Sequence, residues 1–156
     1  MSSPKLLILM LAWVTVAMVV GLLVTSHQLL LLTLIEQPFV PMGTPITAIG
    51  LIALAVGFQR LFSPLRGAPD VIDRRLGQLQ SLSVWATLFW IPVGAVLSGN
   101  LSFSFSPESG FQGSDQASKL FWAFTYGLVL FPAMLWFVRG LVRVWLVFGS
   151  KPAGPE

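Results

Sequence analysis

Hydrophobic residues in this chain fall into four long runs that carry few or no charges. The runs extend from Leu6 to Ile35, from Ile46 to Phe62, from Leu79 to Leu97, and from Leu120 to Val138 with apolar sequence continuing to Phe148. About 20 apolar residues in a helix span the roughly 30 Å hydrocarbon core of a bilayer. Because an open strand leaves backbone groups unpaired in lipid, each run is expected to be a helix. The pattern therefore predicts four membrane-spanning helices.

Composition supports one membrane domain rather than a soluble one. Of 156 residues, 55% are hydrophobic and 10% are charged, and the mean hydropathy of +0.83 exceeds what one soluble core can bury. We expect an all-α membrane protein in which residues 1–156 form a single integral membrane domain. Its transmembrane helices would form an up-and-down bundle, with spans at about 6–35, 46–62, 79–97 and 120–148.

The positive charges lie at alternate ends of these runs. Of the nine basic residues, only Lys119 lies on one side of the membrane. The other eight share the opposite side: Lys5, Arg60, Arg66, Arg74, Arg75, Arg139, Arg143 and Lys151. Under the positive-inside rule both termini should be cytoplasmic, in a bacterial inner membrane by our expectation. This topology also accounts for the basic pI, so no nucleic-acid partner is expected. Because the first run continues past Gly21, an uncleaved helix is favoured over a signal peptide.

Six arginines on the inner side are candidates for binding lipid headgroups. They are Arg60, Arg66, Arg74, Arg75, Arg139 and Arg143. Long basic side chains at helix ends reach anionic headgroups while their stems remain in the apolar zone. A deeper fourth helix would instead make Arg139 and Arg143 intramembrane arginines, which are usually functional. Asp70 and Asp73 suit the first turn of a helix that leads into the third span.

An irregular outer loop at about 98–119 contains an alternating stretch. Leu101, Phe103 and Phe105 alternate there with serines, while Pro107 and Gly110 exclude a continuous helix. One hypothesis is an interfacial segment whose phenylalanines enter the headgroup region. The other is a docking edge, formed by Leu101, Phe103 and Phe105, that pairs with a partner subunit or with residues 36–45.

Two of the spans contain a proline. Pro92 and Pro132 each remove one helical hydrogen bond, which predicts bends in the third and fourth spans.

Residues suited to catalysis are scarce. The chain has no cysteine and one histidine, and its six acidic residues lie in predicted loops or chain ends. No zinc, phosphate-loop or nucleotide motif is present, so we predict no catalytic residue, metal ligand or cofactor. His27 and Glu36 are the only candidates for an outer proton or quinone site. Their spacing of nine residues places them on opposite faces of a continuous helix.

Three functions remain open from the sequence. The leading hypothesis is a non-catalytic accessory or assembly subunit that contacts membrane lipids and other membrane protein subunits. The second is a small transporter or channel subunit, which predicts that five polar residues converge on one cavity: Thr15, Thr25, Gln28, Thr87 and Thr125. The third is a membrane enzyme or quinone-site subunit built around His27 and Glu36.

Overall fold

The computed structural model describes residues 3–62, 70–103, 105 and 111–149. Helices dominate this part of the chain, with one short β-hairpin between the first two long helices. In chain order the elements are α1 Ser3–Thr25, α2 His27–Leu30, β1 Thr33–Ile35, β2 Val40–Pro41, α3 Gly43–Leu61, α4 Asp70–Leu88, α5 Trp90–Ser98 and α6 Asp115–Gly149. We call the end of the bundle that carries the hairpin the outer end, and the end where α3 stops and α4 starts the inner end.

Three helices, α1, α3 and α6, are long and apolar enough to cross a membrane. The consecutive helices α4 and α5 meet the same test together, but they meet at an angle of 50°. The described part of the chain therefore carries three candidate spans, or four if the bent pair is one span. The break at Phe89 follows from Pro92, which has no N–H to donate and whose ring clashes with the carbonyl of Leu88. The bend predicted at Pro92 is present, whereas α6 continues through Pro132 as one helix.

The first predicted span is too long by ten residues. At Ser26 the backbone leaves the helical region, with φ −122° and ψ 48°, and after the single turn of α2 the chain forms the hairpin. Strands β1 and β2 are antiparallel, and the N–H of Met42 donates to the carbonyl of Leu32 at 2.8 Å. The uncharged run to Ile35 is therefore a helix only as far as Thr25, and its last residues satisfy their backbone in a hairpin.

Helix α1 packs along α3 in the antiparallel direction. A Cβ atom added at Gly50 would lie 2.6 Å from Cγ1 of Val19, and one at Gly57 would lie 3.3 Å from the indole of Trp13. Residue numbers therefore rise along α3 as they fall along α1. The absence of side chains at these two glycines allows the helices to approach closely, where no hydrophobic effect drives them together.

Helix α3 also packs against α4 and α6, so it lies between α1 and the rest of the bundle. The buried core is small and sits near the outer end, where it contains Ala48, Leu51, Trp90, Phe103, Phe121 and Leu128. Most other large apolar side chains point outward. This inside-out distribution is expected when the surrounding solvent is lipid hydrocarbon.

Candidate functional site

An ion pair joins three helices at the inner end. Nη2 of Arg139 on α6 donates a hydrogen bond to Oδ1 of Asp73 on α4. The guanidinium carbon of Arg139 also lies 4.5 Å from the ring centroid of Phe62, the residue that follows α3. Arg139 is only 8% exposed. Its charge is therefore compensated by a carboxylate and by the negative face of an aromatic ring.

Amide and hydroxyl groups extend this polar cluster between α3 and α4. Nε2 of Gln80 donates to Oγ of Ser83 at 3.3 Å, and Nε2 of Gln59 donates to Oγ of Ser81 at the same distance. A cavity of about 200 Å³ separates Gln59 and Gln80 from the ion pair. The bond from Gln59 crosses from α3 to α4, as does a longer one of 3.5 Å from Nε2 of Gln80 to the carbonyl of Ala55, so this cluster joins the inner parts of these two helices.

The position of Arg139 corrects one of our expectations. Its guanidinium faces Asp73 and Phe62 rather than lipid headgroups, because a carboxylate from α4 lies within reach. The other described inner arginines are exposed, so headgroup binding stays a prediction for them: Arg60, Arg74, Arg75 and Arg143. Arg66 lies outside the described residues.

The alternating outer stretch folds as a tight turn instead of an extended edge. Oδ1 of Asn100 accepts hydrogen bonds from the backbone N–H of Ser102 at 3.0 Å and of Phe103 at 2.9 Å. Phe103 has a positive φ of 50°, a conformation that a bulky residue adopts only when its surroundings enforce it. The two-residue period therefore does not place the three apolar side chains on one face.

Phe103 is buried inside the chain itself. It is 1% exposed, and its ring centroid lies 5.0 Å from that of Trp90 and 5.3 Å from that of Phe121. The missing side chain of Gly94 makes room for it, because a Cβ there would lie 2.9 Å from the Phe103 ring. Trp90 in turn donates from Nε1 to Oγ1 of Thr125 at 2.9 Å. The expectation of an exposed Phe103 was wrong, since these rings cover it.

The rest of the proposed docking edge is half-buried. Leu101 and Phe105 keep some exposed surface, and Oγ1 of Thr44 donates to the carbonyl of Leu101 at 2.8 Å. This bond ties the outer loop to the first turn of α3, immediately after the hairpin. Docking of a partner at Leu101 and Phe105 stays a prediction.

The residues of the two rival hypotheses show no contact that would support either one. His27 on α2 and Glu36 in the hairpin turn are both exposed. Four threonines bond to carbonyls of their own helices: Thr15 to Leu11, Thr25 to Gly21, Thr87 to Val84 and Thr125 to Phe121. Gln28 is exposed. Convergence of these five polar residues on one cavity stays a prediction of the transporter hypothesis.

A large apolar groove lies between α1, α3 and α6 in the outer half of the bundle. We call it the outer groove; its volume is about 500 Å³. Its walls are formed chiefly by Val16, Val19, Val20 and Leu23 of α1, by Gly50, Leu51 and Leu54 of α3, and by Phe121, Trp122, Tyr126 and Val129 of α6. Phe103 and Phe105 line it next to the outer loop.

Aromatic rings close the region below this groove. Trp13 of α1 meets Phe58 of α3 edge to face at 5.3 Å between ring centroids, and Phe58 lies 6.4 Å from Trp136 of α6. These three rings bridge the helices in the inner half, whereas α1 and α6 are separated by the groove in the outer half.

Known proteins were compared with the chain at three levels. Protein families, curated proteins and solved structures gave no match. Among the described residues, no group of three or more histidines and acids is placed to hold a metal ion. Sequence reasoning singled out Arg139 but missed its partner, because 66 positions separate the two residues. An arginine within an apolar run was the available indication that a carboxylate had to be near.

Proposed function

We propose that this chain is a non-catalytic, multi-pass subunit that serves the assembly or stability of a larger membrane complex. In this proposal α4 and α5 together form one span, so that the chain crosses the membrane four times. The basic residues at the inner end support an orientation in which that end and both termini face the cytoplasm, and a bacterial inner membrane is the proposed location. Lipids and other membrane protein subunits are the partners.

The observation that carries this proposal is the length of α6. Lys119 and Arg139 are 20 residues apart on this helix, which corresponds to about 30 Å, the thickness of the hydrocarbon core. The two charges therefore suit the outer and inner boundaries. Residues 140–149, which we call the α6 extension, continue for about 15 Å beyond the inner boundary.

Apolar side chains cover this extension although it leaves the hydrocarbon. Leu141, Val144, Trp145 and Phe148 are all exposed, with Phe148 at 82%. The headgroup zone adds only about 5 to 7 Å on each side of the core. Phe148 lies nine residues past Arg139, about 13 Å along the axis, and so passes through that zone. A large apolar surface in water marks an interaction site.

The partner surface that suits the α6 extension is an apolar groove on the cytoplasmic side of another membrane subunit. A helix that presents apolar groups at successive turns binds such a groove through a few anchor residues. Trp145 and Phe148 are the strongest anchors available here, because aromatic side chains dominate the binding energy of interfaces. The transporter and quinone-site hypotheses gain no comparable support, since the threonines bond within their own helices and His27 and Glu36 are exposed.

Site-specific photo-crosslinking tests this proposal directly. A photoreactive amino acid is placed at Phe148, and at Val96 as the control. Val96 is 83% exposed on α5, and the proposed four-span arrangement puts it in the hydrocarbon region. After irradiation of intact cells, we expect one discrete protein adduct from position 148 and lipid adducts from position 96. The protein adduct should be lost in a second variant that also carries Trp145→Ala.

Two results would contradict the proposal. Lipid adducts alone at position 148 would show that the bilayer covers the α6 extension. An adduct that persists in the Trp145→Ala variant and also forms from position 96 would indicate random collision. In either case the function of the chain would have to be sought at another surface.

A further inference from the structure

The outer groove is apolar and opens sideways between α1 and α6. We propose that it binds an acyl chain of a phospholipid from the leaflet at the outer end. This site is separate from the α6 extension and does not depend on the function proposed above. It would make one lipid molecule a resident part of the bundle, occupying the space between α1 and α6.

The length of the groove argues against a transmembrane helix as the occupant. The groove stops at the Trp13, Phe58 and Trp136 rings, which bridge α1, α3 and α6. A helix that crossed the whole bilayer would meet this bridge in the inner half. A thinner and flexible chain can bend away from it.

The position of the groove favours entry from the bilayer. Val20 on α1 and Tyr126 on α6 line it and are both more than half exposed, so its mouth faces sideways between these two helices. At the outer loop, Phe103 and Phe105 line it with aromatic rings. A lipid chain can therefore enter laterally from the leaflet without passing through water.

The lining favours a plain hydrocarbon over a ligand with a polar ring. Thr125 is one of the few hydroxyl residues in the wall, and its Oγ1 already donates to the carbonyl of Phe121 and accepts from Trp90. Oγ1 of Thr47 is buried in the wall without a hydrogen-bond partner, so it is not accessible to a ligand in the groove. A quinone head or other polar ring would leave its oxygens unpaired against such a wall, at a cost in free energy. An acyl chain has no polar group to leave unpaired there, because it moves from one apolar environment to another.

Packing supplies the reason why this chain would stay. Protein interiors tolerate few voids, since atoms that line a void lose their dispersion contacts. In lipid, no hydrophobic effect pulls α1 towards α6 to close the gap. The groove is therefore best filled by the component that surrounds it, held more tightly than a lipid on the convex surface because it is contacted from three sides.

The test uses phosphatidylcholine vesicles that contain a phosphatidylcholine with a diazirine near the end of one acyl chain. The purified protein is reconstituted, irradiated and digested, and labelled positions are mapped by mass spectrometry. We expect label to concentrate on the walls of the outer groove over equally exposed positions such as Leu7 and Val96. Filling the groove by Val129→Trp or by Val20→Trp should lower this labelling about tenfold, equivalent to about 1.4 kcal/mol, whereas Val96→Trp should not.

Each other outcome overturns the proposal. Even labelling of all exposed apolar positions in the unmodified protein would show ordinary surface lipid only, and this comparison needs no variant. Labelling that survives both filling variants would place the chain elsewhere. Displacement of the label by a polyprenol, but not by unlabelled phosphatidylcholine, would assign the groove to an isoprenoid. A crosslinked dimer through α1 or α6 would assign it to a second copy of the protein.

Discussion

The ion pair between Asp73 and Arg139 should stabilise the bundle. We expect removal of Asp73 and removal of Arg139 to lower the free energy of unfolding by different amounts. Exposed ion pairs contribute about 0 to 1 kcal/mol, whereas loss of one partner from a buried pair costs about 3 to 5 kcal/mol. The Arg139 side chain is 9% exposed and that of Asp73 is 30% exposed. The free energy lost when one partner is removed should therefore lie between these two limits.

Asp73→Ala should be the more damaging change, because it removes the carboxylate that compensates a buried cation. We expect it to lower the free energy of unfolding by about 2.5 kcal/mol, just under the range for buried pairs. Arg139→Met should lower it by about 1.5 kcal/mol, of which about 0.5 to 1 kcal/mol is the lost cation–π contact. The carboxylate left behind is partly hydrated and lies in the first turn of α4, where a negative charge is favourable.

The double variant should cost about 1.5 kcal/mol, because replacing both charges together removes the uncompensated cation. The coupling energy between the two sites is then about 2.5 kcal/mol, within the range for residues in direct contact. Unfolding in mixed micelles by titration with sodium dodecyl sulfate, followed by tryptophan fluorescence, measures all four free energies. Arg60→Met, at an exposed arginine of α3, serves as the control and should change stability by less than about 0.5 kcal/mol.

Two results would refute this reasoning. A coupling energy below about 0.5 kcal/mol would show that the pair behaves like a surface ion pair. A larger loss of unfolding free energy from Arg139→Met than from Asp73→Ala would show that the cation is not the group whose burial needs compensation.

Four further outcomes are expected. Gly50→Ala should weaken the packing of α1 on α3 and lower the free energy of unfolding by about 1 to 3 kcal/mol, because the new Cβ would lie 2.6 Å from Val19. Gly21→Ala is the control: nothing lies within 4 Å of its Cβ, so it should be neutral or stabilising in the same unfolding titration. Asn100→Ala should cost about 1 to 3 kcal/mol by leaving buried backbone N–H groups of the outer turn unpaired, measurable as faster proteolysis of the outer loop. His27→Ala should leave expression and unfolding unchanged because this side chain is exposed; lower stability would contradict that. Reporter fusions should place both termini in the cytoplasm, and an external terminus would contradict the assigned orientation.

The helical membrane class was predictable because it depends on composition and run length alone. A run of 20 apolar residues has few alternatives in lipid, so α1, α3 and α6 were found near their true positions. The bend before α5 was predictable for a similar reason, since Pro92 lacks an N–H wherever it is placed. Boundaries were less accurate, because an uncharged run can also form a hairpin, as it does after Thr25.

Tertiary partners were not predictable from local pattern. The alternation from Leu101 to Phe105 resembles a strand, but the side chain of Asn100 caps the backbone and turns Phe103 into the core. Similarly, Arg139 resembles a headgroup-binding arginine until α4 is packed beside α6. In both cases the deciding contact comes from geometry that a short window of sequence does not contain.

The ion pair also has a consequence for the order of events during synthesis. Asp73 and Arg139 are separated by 66 positions, and a ribosome that adds about 5 to 20 residues per second needs about 3 to 13 seconds to cover that distance. Helix α4 is therefore made well before the arginine emerges. The last helix carries a cation at the inner boundary, and burial of this cation between helices is unfavourable until a carboxylate is beside it. If α4 stays next to the insertion machinery, α6 can leave that machinery once its arginine has paired with Asp73. The ion pair would then determine when the last helix joins the bundle.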